Sequence, residues 1–376
     1  MLKSSLVSKQ KISLVLFFII NLLFGIKYLS RVTAFYPILI ILFISAYVFC
    51  LEKKEVVISF LKRIKLTLSI LIVIYIIFSL VLFYLIPKET LNVDRWSVIS
   101  SFWDNYFNDE YVYYAKSFDG NYPGPMPFYF ILALPFYCIG ELGLYSLLGI
   151  MLFTYLMQKH TKSKELSTIV FLLIATSLFY IWEISTRSNI FFNGTIVLLS
   201  IYFFFKRYKT NLNNDVLFGI IFGLVLSTRN VYVIPLIIAI LFALKTQKIN
   251  FKHLILLGLF TIIAFALTFL PFVWNHLEDF KIMNPFIIQS SFLMPFEYTI
   301  AFVLLSFLTV FFCRSESDVY FYSGLVLFLT IIFYFGYTIY VSNFETTFYG
   351  SRADISYFIL CLPFVLFHCY YAQSEK

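Results

Sequence analysis

The chain has 376 residues, 61% of them hydrophobic and only 13% charged, with 28 Lys and Arg against 20 Asp and Glu for a net charge of +8. A soluble domain carries about 25% charged residues, so this composition excludes a soluble globular protein and describes a chain that crosses a membrane many times. The positive balance is not a nucleic-acid footprint, because it lies in short connections between apolar runs, where Lys and Arg set orientation in the bilayer.

The N-terminal MLKSSLVSKQK is basic and precedes an apolar run. No clear small-residue cleavage site follows, so it reads as a retained first span rather than a signal peptide. Apolar runs fall near 12–30, 34–50, 66–86, 127–158, 167–185, 190–206, 214–228, 231–245, 253–274, 296–313, 319–341 and 354–372. The expected fold is therefore all-α, a polytopic transmembrane bundle of about twelve spans of roughly 20 residues each. It forms a single integral domain, 1–376, divisible into an N-terminal hairpin with a basic loop (1–65), a central module (66–245) and C-terminal helices (246–376). Alternate connections are basic: Lys53, Lys54, Lys62, Arg63 and Lys65, then Lys159, Lys162 and Lys164, then Lys206, Arg207 and Lys209, then Lys245, Lys248 and Lys252. The positive-inside rule makes that side cytoplasmic and puts both termini there.

The run 127–158 is too long for one straight span and breaks at Gly140-Glu141-Leu142-Gly143. Runs 214–228 and 231–245 are short for a bilayer. Irregular backbone between short helices is tolerated only where protein or a water-filled cavity covers it, which puts Ser227-Thr228-Arg229-Asn230 in a cavity below the outer surface. The five cysteines (50, 138, 313, 361 and 369) lie in or beside apolar runs, with no metal-site or disulfide spacing.

Polar chemistry gathers on the outward side. The long segment 87–126 carries six carboxylates (Glu89, Asp94, Asp104, Asp109, Glu110 and Asp119). Asp94 lies a few residues beyond the third span, at the depth of a lipid headgroup, where partial desolvation suits a carboxylate to general-base work. Its structural alternative is a helix cap for the segment starting at Arg95. Two outward turns repeat Ser-Thr-Arg, Ser185-Thr186-Arg187 and Ser227-Thr228-Arg229, each followed by an Asn (189 and 230). Arginine offers a planar fork suited to phosphate oxygens, so both turns are phosphate-binding candidates. Glu183, four residues before Arg187, is a helical-face partner that would make that arginine structural, while Arg229 has no acid nearby in sequence and otherwise snorkels to lipid headgroups. Arg352 and Asp354 either pair in a solvated loop or contact substrate. Trp96 and Trp103 either stack on sugar rings or belong to an interfacial aromatic belt. His276, Glu278 and Asp279 are too loosely spaced for a metal centre. Asn193-Gly194-Thr195 matches a glycosylation sequon inside an apolar run. The chain has no P-loop, dinucleotide-binding turn, zinc pattern or serine nucleophile elbow.

The third span, the outward Asp94-Arg95-Trp96 and the later Asn121-Tyr122-Pro123-Gly124-Pro125-Met126-Pro127-Phe128 together resemble a GT-C glycosyltransferase over about residues 66–245. The Ser185-Thr186-Arg187-Ser188-Asn189 turn is compatible with it. The resemblance implies a bundle with a long catalytic outer loop, 87–126, in a bacterial inner membrane with its active face extracytoplasmic. It implies inverting transfer of a sugar from a polyprenyl-phosphate donor to a lipid, glycan or protein acceptor, with Asp94 as general base. Arg187 and Arg229 would hold the departing phosphate, and Arg95, Glu183, Asn189 and Arg352 would complete the substrate contacts. The chain departs from the family pattern at three points. Two spans precede the one expected first. Arg95 stands where many members have a second acid, so a second carboxylate would come from Glu183, Asp104, Asp109 or Glu110. No soluble C-terminal domain follows. No cofactor is indicated, a lone Asp suiting a metal-free reaction better, although a divalent metal stays open. Two rivals share the features. One is a lipid-linked oligosaccharide polymerase or ligase, which would not need Asp94; the other is a twelve-span transporter or flippase of lipid-linked sugars.

Overall fold

The computed structural model describes residues 2–292 and 294–371; residue 372, the last of the final apolar run, lies outside them. Among the described residues every regular element is a helix. Five helices are long and apolar enough to cross a membrane: Ser8–Leu29, Leu68–Leu85, Ile190–Arg207, Phe251–Val273 and Glu316–Val341. Two bent pairs, Tyr36–Glu52 with Lys54–Arg63 (87°) and Lys164–Ala175 with Leu178–Ser185 (65°), raise the number to seven if each is one span. Shorter apolar helices fill the remaining runs, among them Pro127–Ile139, Leu212–Leu226 and Asn230–Lys245.

The break within 127–158 falls where Gly140 and Gly143 predict it: Pro127–Ile139 ends at Gly140, φ +87°, and Gly143–Thr161 begins three residues later. The bend inside 167–185 has no glycine or proline to announce it. Ser177 makes it, its hydroxyl accepting from the Tyr180 amide, while Asn21 of the first span accepts from the Leu178 amide at 2.9 Å. A side chain from a distant helix thus replaces the intrahelical bond that a straight span would keep.

The most deeply buried span, Ile190–Arg207, runs through the middle of the bundle. It packs on Gly143–Thr161, on Leu212–Leu226 and on the C-terminal segment Ile355–Tyr371. The pair Leu212–Leu226 and Phe251–Leu267 is the closest helix contact of the fold. A Cβ on Gly219 would lie 2.5 Å from Phe260 Cβ, and one on Gly223 only 2.4 Å from the Thr261 carbonyl oxygen. Small residues four apart let helix backbones approach this far in a membrane.

The segment 87–126 is a folded layer. Its helix Arg95–Phe107 lies on Pro127–Ile139, with Phe102 stacked on Phe130 at 3.7 Å and Trp103 Nε1 donating to the Phe130 carbonyl at 3.1 Å. These residues form a second core with Tyr111, Tyr113, Phe272 and Ile288, separate from the main transmembrane core. Trp103 is buried there and is unavailable to a sugar ring; Trp96 is half-buried beside Phe118.

Candidate functional site

One cavity of about 730 Å³ opens between the folded layer and the bundle. Its walls come mainly from Asn92–Arg95 and Asp119–Pro125 of the layer, Arg229–Val231 of the turn, and the Thr330–Val341 face of the long C-terminal span with the loop Ser351–Tyr357, joined by Tyr28, Tyr129 and Ile288. Four of the seven site residues read from the sequence line it: Asp94, Arg95, Arg229 and Arg352. Glu183, Arg187 and Asn189 do not.

Asp94 occupies the N-cap position of Arg95–Phe107, yet its carboxylate makes no cap bond. Instead Oδ2 accepts from Ser117 Oγ and from Asn121 Nδ2, both at 2.8 Å. The start of the layer is thereby tied to its end, and a carboxylate is held at the cavity wall by neutral donors. Ser97 Oγ bonds the Asp94 carbonyl and accepts from the Phe118 amide, closing the same corner.

Arg95 is committed to a partner that local sequence does not show. Its guanidinium forms an ion pair with Asp354, donates to Ser356 Oγ at 2.9 Å and lies 5.4 Å from the Tyr357 ring. Burial of Asp354 opposes ionisation, but the Arg95 guanidinium, the Ser356 amide and hydroxyl and the Lys27 ammonium together outweigh it and hold the carboxyl below its ordinary value. Burial likewise works against the Arg95 charge, and Asp354 together with Tyr357, Asp94 and Tyr129 more than restores it, so the guanidinium sits above its ordinary value. Asp354 also accepts from the Ser356 amide at 2.8 Å, capping the helix that starts at Ile355. The expected Arg352–Asp354 pair is therefore not made, because Asp354 turns inward to a buried cation while Arg352 stays exposed on the rim.

Arg229 lies between two rings, 5.5 Å from Tyr129 and 5.9 Å from Tyr357, the ring that Arg95 also approaches. Among the described residues no carboxylate stands within ion-pair distance of it, and its Nε is buried without a hydrogen-bond partner. The turn that carries it is stitched to the Pro/Gly motif: the Met126 amide donates to the Thr228 carbonyl, the Tyr129 amide to the Ser227 carbonyl and the Phe128 amide to Ser227 Oγ. Ser227 Oγ also bonds Thr268 Oγ1 at 2.6 Å. Two motifs about a hundred residues apart in sequence thus form one corner of the cavity.

Arg187 behaves differently. The helix containing Glu183 ends at Ser185, and Arg187 itself has φ +56°, so the four-residue spacing no longer places the two on one face. Arg187 reaches away to Glu141 at 3.3 Å, to the Phe83 carbonyl at 3.0 Å and to the Ser185 carbonyl at 2.8 Å. It is 1% exposed, joining the third span to the broken helix, and has no access to the cavity. Glu183, fully buried, caps the next helix instead: Oε1 accepts from the Phe191 amide at 2.7 Å. Asn189 is buried beside the cavity-lining Tyr129.

His276 pairs with Asp279 at 3.1 Å and Glu278 with Lys281 at 2.6 Å, and the His276 ring lies 5.5 Å from that of Tyr111 in the folded layer. Among the described residues no group of three His, Cys, Asp or Glu forms a metal-holding set. Asn193-Gly194-Thr195 is buried within Ile190–Arg207.

Sequence reasoning missed Lys27. It is fully buried in a π-helical turn, Gly25–Leu29, next to the cavity-lining Tyr28, and its Nζ has no hydrogen-bond partner. A lysine inside the apolar run 12–30 is the signal that would have found it. It also missed an apolar groove of about 610 Å³ on the outside of the bundle, lined by Phe302, Leu329, Ile332, Phe333, Gly336 and Tyr340. Tyr337 lines both the groove and the cavity. No protein-family model, curated protein or solved structure matches this chain.

Proposed function

We propose that the chain is a membrane glycosyltransferase of GT-C type. It moves a sugar from a polyprenyl-phosphate donor to a lipid, glycan or protein acceptor at the extracytoplasmic face of a bacterial inner membrane. About twelve spans would make up the bundle, with both termini cytoplasmic. One observation carries the reading: Asp94 and the carboxylate-free Arg229 line the same cavity, and Tyr337 lines both that cavity and an apolar groove. A lipid phosphate has the same two-part chemistry, a charged head and a hydrocarbon tail.

In this reading the donor phosphate lies against Arg229, with Arg352 at the rim. Asp94 removes the proton from the acceptor hydroxyl as its oxygen bonds to the anomeric carbon, and the bond from that carbon to the phosphate oxygen breaks with inversion. The electron pair leaves on the lipid phosphate, where Arg229 meets the developing charge. Ser117 and Asn121 orient the base through Oδ2. Arg95 holds the wall rather than the phosphate while it is paired with Asp354.

The test is sugar transfer in proteoliposomes with a panel of polyprenyl-phosphate sugars and a crude lipid and glycan acceptor extract. Wild type should transfer, and Asp94→Asn, at equal folded amount, should lose about 10²- to 10⁴-fold in turnover. Unchanged transfer by Asp94→Asn overturns the base assignment and favours the polymerase or ligase, whose products would be long repeats. The flippase reading is favoured by one observation, the ionisable Lys27 and Glu183 buried inside the bundle. Movement of labelled donor between leaflets without any transfer would establish it instead.

A further inference from the structure

The helix Lys54–Arg63 has no part in the cavity. It follows Tyr36–Glu52 after a bend of 87°, with only Lys53 between them, and residues 64–67 lead from it into the third span, Leu68–Leu85. Tyr36–Glu52 runs antiparallel along the first span: a Cβ on Gly25 would lie 2.9 Å from Ile40, and Phe17 stacks on Tyr47 at 5.9 Å. Both neighbours of the helix turn bare apolar side chains outward, among them Ile41 and Phe49 on one side and Val73 and Ile77 on the other. In a chain of this composition such surfaces face lipid. A helix set at about a right angle between two lipid-facing helices runs along the membrane plane, and its short connections hold it there. The folded layer 87–126 joins the other end of Leu68–Leu85, so this helix and the cavity lie at opposite ends of that span.

Three strips run along the helix. Val57 and Ile58 pack on the main core. Val56, Phe60 and Ile64, spaced four apart and so on one side, are all exposed. Glu55, Ser59 and Lys62 fall on the third side, where Lys62 pairs with Glu165 at 2.7 Å. One strip thus meets the bundle, one is polar, and the apolar one between them has no protein over it. Lys53, Lys54, Arg63 and Lys65 are exposed around that strip, and among the described residues none has a carboxylate within ion-pair distance. A second copy of the chain on this strip would bring the same cations against one another, a repulsive arrangement. Water would leave Phe60 and its neighbours bare. A bilayer surface carrying anionic headgroups satisfies the apolar strip and the cations together.

We propose that Lys54–Arg63 is an interfacial helix that binds anionic lipid. Val56, Phe60 and Ile64 are immersed at the boundary between headgroups and acyl chains, and Lys53, Lys54, Arg63 and Lys65 engage the lipid phosphates. Each basic side chain near a bilayer surface adds attraction to anionic lipid that falls off within a Debye length. The helix anchors the first hairpin to the third span from outside the bundle. This surface does not depend on the reaction assigned to the cavity, and either can fail without the other.

Two measurements on the full chain in nanodiscs test this, with Cys50 and Cys138, the two cysteines that are not buried, replaced by Ala. In the first, a nitroxide attached at Phe60→Cys or at Ser59→Cys is relaxed by oxygen, which concentrates in lipid, or by a nickel chelate, which stays in water. Oxygen should dominate at position 60 and the chelate at position 59. Free access of the chelate to both positions overturns the proposal, because the helix then stands in water. Shielding of position 60 from both reagents overturns it in favour of a protein contact. In the second, a fluorophore at position 60 is quenched by spin-labelled phosphatidylglycerol or by spin-labelled phosphatidylcholine, each in phosphatidylcholine discs. Phosphatidylglycerol should be enriched beside the label by about fivefold, the scale of one basic residue near the surface. Replacing Lys53, Lys54, Arg63 and Lys65 together by Gln should remove the enrichment, and so should high salt with no substitution at all. Equal quenching by the two lipids at low salt overturns the proposal. An enrichment that survives both the substitutions and the salt overturns it too, because these cations are then not its cause.

Discussion

The turns at Ser185-Thr186-Arg187 and Ser227-Thr228-Arg229 begin with the same three residues and end in opposite roles. Arg187 is enclosed, with Glu141, two backbone carbonyls and the face of Phe83 around it. Arg229 faces a cavity, with two tyrosine rings beside it and no carboxylate in reach among the described residues. A tripeptide motif does not decide whether an arginine is a strut or a ligand. The decision comes from how many acceptors the rest of the fold brings to it, and those acceptors come from elsewhere in the chain.

Substitutions at the two positions should therefore fail in different ways. The largest effect is expected at Arg187. Arg187→Met removes a buried cation from Glu141, which keeps only the Gly143 amide, and from two carbonyls, and should cost about 3 kcal/mol of stability, read as a lower Tm and poor yield of folded protein. Normal stability with weakened prenyl-phosphate binding would reverse the assignment. Next comes Arg229→Gln, which should leave Tm nearly unchanged and weaken binding of a prenyl phosphate about 10- to 100-fold, the scale of a hydrogen bond to a charged group. A drop in Tm with intact binding would make Arg229 a second strut. Smaller still is Arg352→Gln. Its exposure and screening by solvent limit the expected loss to about threefold in affinity, with increased salt removing the difference between it and wild type.

The smallest effect near neutrality concerns the Arg95–Asp354 pair, the fixed contact on the Arg229 side of the cavity. Because Asp354 titrates below its ordinary value in the folded protein, its contribution to stability is complete above the unfolded carboxyl value, about pH 3.9, and is lost as pH falls through the lower folded value. Between about pH 5 and 8 this pair should add no pH dependence to unfolding, and Asp354→Asn should abolish only the part of acid sensitivity that appears below about pH 4. A pair-dependent transition near neutral pH would show that Asp354 is not held by Arg95.

Much of the site can be read locally. Asp94 just past an apolar run, the Pro/Gly entry at 123–127 and the polar turn between two short runs all point to one cavity, and those residues meet there. The errors have a common cause. Glu183 and Arg187 satisfy helical spacing, but the helix stops between them. Arg352 and Asp354 are near in sequence, but Asp354 is taken by Arg95, 259 residues away. Trp103 has the composition of a sugar platform, yet its indole N–H is matched by the Phe130 carbonyl only after the layer has folded. Spacing rules predict pairs within an element and carry no information about partners delivered by tertiary packing.

The contact between Leu212–Leu226 and Phe251–Leu267 bears on how the site tolerates change. Gly223 lies six residues before Arg229, and one methyl added there would press on Thr261 and on Ala264, 2.7 Å from its Cβ. The helices would have to part, and the turn at the end of one of them would travel with it. Groups that meet a reacting centre lose as much as about 10²-fold when displaced by 1 Å. A hydrogen atom on Gly223, buried against a neighbouring helix, is thus a dimension of the cavity, and a screen that searched only the cavity walls would overlook it.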